Sequence, residues 1–89
     1  MQVSDQEQHQ YCTNKFIRLA NELKKEGIDP NLVSGSLMTA SGVYATYVAA
    51  GNSGALESSG IDKVVAVFRR TLEQHQARKR NQLINEKFE

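Results

Sequence analysis

The sequence predicts an all-α fold: a three-helix, hairpin-like bundle that a second copy of the chain would complete. Three observations carry this expectation. Apolar residues recur at steps of three and four, and nowhere alternate at the strand period of two. Helix-start signals stand at Ser4-Asp5-Gln6-Glu7 and at Asp29-Pro30. Glycine and serine cluster in one stretch, 51–60, and the chain holds a single proline.

The first helix is expected over about 5–26. Ser4 to Glu7 fits a capping box, in which the serine hydroxyl and the glutamate carboxylate satisfy free backbone N–H groups. Cys12, Phe16, Leu19, Ala20 and Leu23 then share one stripe, with Lys15, Arg18, Glu22, Lys25 and Glu26 on the other side. Gly27 is placed to take the left-handed conformation that closes a helix, with Ile28 as an apolar contact in the turn.

The second helix is expected over 30–50. Asp29 is a good N-cap, and Pro30 at the first helical position gives up a hydrogen bond that no helix uses there. From Asn31 to Ala50 there is no charge. Val33, Leu37, Ala40, Tyr44 and Val48 form a stripe, and the opposite face is small rather than polar: Gly35, Thr39, Gly42, Thr46 and Ala49. A helix apolar or small all round is normally a central one with two neighbours.

A loop over 51–59 follows, with Leu56 placed to tuck inward. Ser59 to Asp62 reads as a weaker capping box for a third helix over about 60–82. Its apolar stripe is Ile61, Val64, Val65, Phe68 and Leu72. Beyond His75 the periodicity fails, and Leu83, Ile84 and Phe88 return sparsely, so this end is expected to project beyond the body or to fray.

These elements are read as one domain over 1–89, and the composition bounds what it does. Leu, Ile, Val and Phe supply 7, 4, 7 and 3 residues, a small core for 89 residues. Eleven basic against ten acidic residues give a net +1, which excludes a strongly basic or acidic tail as the dominant character. The +1 conceals an asymmetry. Residues 63–80 hold Lys63, Arg69, Arg70, Arg78, Lys79 and Arg80 against Glu73 alone, a local +5, while residues 1–62 carry −3. One cysteine excludes an internal disulfide, and the opening MQVSDQEQHQ lacks the basic and apolar blocks of a signal peptide. A cytoplasmic setting is expected. The uncharged run 31–50 carries Asn31, three serines and two threonines, too polar for a spanning helix, so no membrane role is expected.

The small-residue seam of Gly35, Thr39, Gly42, Thr46 and Ala49 is the most specific feature. Such a seam lets another helix approach closely and gain backbone-to-backbone dispersion contacts. That helix is either one of the chain's own or one from a second copy. Tyr44 and Tyr47 lie about 60° apart on the same helix and are candidates for lining a pocket; as core-edge aromatics with hydroxyls in water they need no ligand. The six cations of residues 63–80 are candidate anion or nucleic-acid contacts. Against that, they spread around most of the helix, no aromatic is interleaved for base stacking, and cations near a helix C-terminus also suit its dipole. His9 and Cys12 share a face, but two ligands make no metal site, and Cys12 reads as a small core residue. No nucleotide-binding glycine motif and no acid–base or nucleophile constellation is present, so no enzyme activity, metal or cofactor is expected.

The stretch Leu37-Met38-Thr39-Ala40-Ser41-Gly42-Val43-Tyr44-Ala45-Thr46-Tyr47, then Gly51-Asn52, then Ser59-Gly60-Ile61-Asp62-Lys63-Val64-Val65, resembles a small proteobacterial family of short helical proteins built on a domain of unknown function. The likeness spans roughly residues 12–80. It implies a bacterial, cytoplasmic setting and brings no catalytic residue with it. The combined expectation is a non-enzymatic module that self-associates as a homodimer, with anion or nucleic-acid binding through the third helix as the alternative.

Overall fold

A computed structural model describes residues 3–88, and of Phe88 the backbone alone. Three helices follow in order: α1 (Asp5–Lys25), α2 (Pro30–Ala50) and α3 (Ser58–Phe88). No strand occurs among the described residues, so the protein is all-α as predicted. It forms two compact units, Met1–Tyr44 and Ala45–Glu89. Their dividing point falls inside α2, not in the glycine–serine loop.

In the first unit the caps follow from the residues at the helix ends. The Ser4 hydroxyl accepts from the Glu7 amide at 3.1 Å and donates to Glu7 Oε1 at 3.1 Å. Half of the capping box is therefore built, while the carboxylate takes the hydroxyl instead of the Ser4 amide. At the other end Gly27 adopts φ +97°, the left-handed region that costs glycine nothing. The Ile28 amide donates to the Leu23 carbonyl at 3.3 Å and the Gly27 amide to that of Lys24 at 3.0 Å, the paired bonds of a Schellman closure. Asp29 then caps α2, its carboxylate accepting from the Asn31 amide at 2.7 Å, with Pro30 as the first helical residue. Val33 is buried, and Ala20, Leu23 and Gly35 are half-buried.

In the second unit α2 ends at Gly51, which takes φ +77° and donates its amide to the Tyr47 carbonyl at 2.8 Å. Gly54 is required for a different reason: a Cβ there would run into the Ala50 carbonyl oxygen. Leu56 tucks inward as expected, its Cδ2 3.2 Å from where a Gly60 Cβ would stand. Ala45, Thr46, Ala50, Leu56, Gly60 and Val64 are half-buried.

Two expectations about α3 are corrected. The helix starts at Ser58, where the Glu57 carbonyl accepts from the Ile61 amide at 3.0 Å, so Ser59 lies in the first turn and is not the cap of a Ser59–Asp62 box. It also runs six residues past the expected end at 82 and through the segment where fraying was predicted. Gln76 to Gln82 offers little to bury, yet Ala, Arg, Lys and Gln are strong helix formers with no glycine or proline among them. Propensity carries the helix where burial does not. The side chain of Phe88 lies outside the described residues.

The largest correction concerns burial. Val33 is the only buried residue among those described. Cys12, Phe16 and Leu19 are exposed in α1, Leu37, Ala40, Tyr44 and Val48 in α2, and Ile61, Val65, Phe68 and Leu72 in α3. A periodic stripe identifies the face that gains from cover; it does not say that the same chain supplies the cover.

Candidate functional site

The small residues of α2 fall on one side of the helix, within a sector of about 80° at 100° per residue. Gly35, Thr39 and Gly42 belong to the first unit, and Thr46 and Ala49 to the second. A Cβ built on Gly35 or Gly42 meets nothing within 4 Å, so neither glycine is needed to admit a neighbour within the chain. Thr39 turns its hydroxyl back along the helix and donates to the Gly35 carbonyl at 3.0 Å. That leaves its methyl group as the outward surface, and covering it would strand no hydroxyl. The face around it is shallowly concave over Asn31, Leu32, Gly35, Ser36, Thr39 and Ala40. Sequence periodicity found the seam; the Thr39–Gly35 bond that dries it was legible only as a threonine four residues after a glycine.

Tyr44 and Tyr47 are both exposed, at 67% and 48%, and neither lines this concavity. They are not packed in a core. In α1, Lys15 Nζ stands 5.0 Å from the centre of the Tyr11 ring, one turn away, a cation–π contact that sequence reading missed.

The six cations of α3 are all exposed. Arg69 lies 3.6 Å from Glu73, the one ion pair among the described residues. Both side chains are exposed, so the pair adds little stability. At 100° per residue, Lys63, Arg69, Arg70 and Arg80 occupy one sector of about 120°, with Arg78 beside it and Lys79 on the far side. Together the six span about 260° of the circumference.

His9 and Cys12 share the exposed face of α1, and no group of three or more His, Cys, Asp and Glu residues is gathered among the described residues. No helix among the described residues is long and apolar enough to cross a membrane.

No curated protein and no solved structure matches the chain. Residues 10–79, close to the span of the expected resemblance and most of the chain's length, match the family described as Protein of unknown function (DUF3144). The protein, with its three capped helices and the small-residue face of α2, belongs to that family.

Proposed function

We propose that this protein is a non-enzymatic interaction module that works as a homodimer in the bacterial cytoplasm. The observation that carries the proposal is the burial pattern: Val33 alone is buried among the described residues, while twenty large apolar residues are exposed. Folding costs roughly 1–2 kcal/mol of backbone entropy per residue, and burial of apolar surface is the main term that offsets it. One buried valine leaves that term short, which supports cover from a second molecule.

A second copy is the occupant that always accompanies the chain at its own concentration, and symmetric pairs are the commonest soluble oligomers. The area suffices. Tyr11, Phe16, Tyr44, Tyr47 and Phe68 are each about half exposed or more, which at roughly 150–250 Å² per ring already offers on the order of 500 Å². The exposed Leu, Ile, Val and Met residues add to this, against about 800 Å² per partner in a standard interface. On the other side of α2 from Tyr44, Gly35, Thr39 and Gly42 offer the closest backbone approach.

The test is thermal unfolding followed by circular dichroism over a hundredfold range of protein concentration. A dimer that buries the core gives a melting temperature that climbs with concentration. A melting temperature independent of concentration counts against it. The cytoplasmic assignment rests on the single cysteine and on the family resemblance.

A further inference from the structure

We propose that the cationic side of α3 binds duplex nucleic acid through its phosphate backbone, without reading sequence. Among the described residues only Arg69 has a carboxylate partner, so no acidic side chain described pairs with Lys63, Arg70, Arg78, Lys79 or Arg80. Because α3 is continuous from Ser58 to Phe88, these residues are held on one rigid rod. At 1.5 Å per residue, Lys63 to Arg80 spans about 26 Å. A nucleic-acid strand presents a phosphate about every 3.4 Å along the duplex axis, so a track of that length passes several of them.

The arrangement discriminates among polyanions. Ile61, Val65, Phe68 and Leu72 fall within about 60° of one another, on the side of α3 away from Lys63, Arg69, Arg70 and Arg80. Between Lys63 and Arg80 the one aromatic, Phe68, lies in the apolar stripe, so this stretch of the cationic sector holds no ring on which an unpaired base would stack, which favours a duplex over a single strand. A helix of about 10–12 Å diameter also matches a major groove about 12 Å wide. An anionic membrane surface fits less well. A helix lying in lipid needs its apolar face along the same stretch as its cations, whereas the stripe is interrupted between Leu72 and Leu83, where Arg78, Lys79 and Arg80 stand, and Lys79 falls in line with it. The cationic sector is distinct from the apolar stripe, so the inference stands whether or not the chain dimerises.

Fluorescence anisotropy of the full chain with a labelled 20-base-pair duplex of arbitrary sequence, at 50 and 200 mM salt, tests this. With Lys63, Arg69, Arg70, Arg78 and Arg80 engaged, affinity falls about 500-fold across that range. The triple substitution R78Q/K79Q/R80Q, whose helix content is checked by circular dichroism, removes two of those five contacts and is expected to lower the slope of log affinity against log salt by about two-fifths. E73Q, which frees Arg69, is expected to tighten binding at 50 mM. Absence of duplex binding at 50 mM salt, or affinity insensitive to salt, would overturn the proposal without a variant. So would a correctly helical triple variant with the parent's affinity, tighter binding to a single strand, or capture by phosphatidylglycerol vesicles but not by the duplex.

Discussion

Leu56 lies over Gly60, its Cδ2 only 3.2 Å from the position a Gly60 Cβ would occupy. This contact pins the loop between α2 and α3 to the first turn of α3, and Leu56 is half-buried in consequence. Leu56→Ala is expected to cost about 1 kcal/mol, less than the roughly 2–5 kcal/mol of a fully buried leucine. A chemical denaturation midpoint unchanged from the parent would show that the loop is not held there.

Gly54→Ala tests the same elbow through the backbone. Its Cβ meets the carbonyl of Ala50, which cannot turn aside as a flexible side chain can. The variant is expected to lose about 1–3 kcal/mol, as overpacked sites do. The measurement is again the denaturation midpoint.

The turn between α1 and α2 yields a pair of expectations. Asp29→Ala removes the carboxylate that accepts from the Asn31 amide and is expected to cost about 1 kcal/mol. Gly27→Ala forces a side chain into φ +97° and is expected to cost about 1–2 kcal/mol. Hydrogen exchange checks the location: protection should fall at the facing ends of α1 and α2 while the start of α1, capped by Ser4, keeps its own.

The caps were the most legible part of the fold. Ser4, Gly27, Asp29 and Pro30 announce their roles because each satisfies a local requirement of backbone geometry or hydrogen bonding, and the structure builds all four. The start of α3 was misplaced because Ser59 matches the cap pattern equally well, while the Glu57 carbonyl, a group every residue carries, takes the Ile61 amide. Burial was the least legible. Phe68 and Leu72 obey helical periodicity whether their cover comes from the same chain or another, and Cys12, small and apolar, stands exposed on α1. The seam at Gly35 and Gly42 was visible as spacing, yet only the structure showed open space around a Cβ built at either glycine among the described residues.

That open space separates folding from association at Gly42. A Cβ at residue 42 meets no neighbour within 4 Å, and in Gly42→Leu a good helix former replaces a poor one, so the helix content of the isolated chain should hold or rise. If α2 forms the interface, the same substitution should raise the dimer dissociation constant at least tenfold, a change of about 1.4 kcal/mol. Analytical size-exclusion chromatography at matched concentrations reads the second effect, and circular dichroism the first. Loss of helix content would show instead that Gly42 is needed for packing within the chain.

The central claim is that a second copy covers the apolar surface left open by a chain in which Val33 alone is buried among the described residues. Sedimentation equilibrium of the full chain from micromolar to millimolar concentration tests it most directly. The account predicts a mass near twice 9.9 kDa at the upper end of that range. A mass of 9.9 kDa throughout would contradict it.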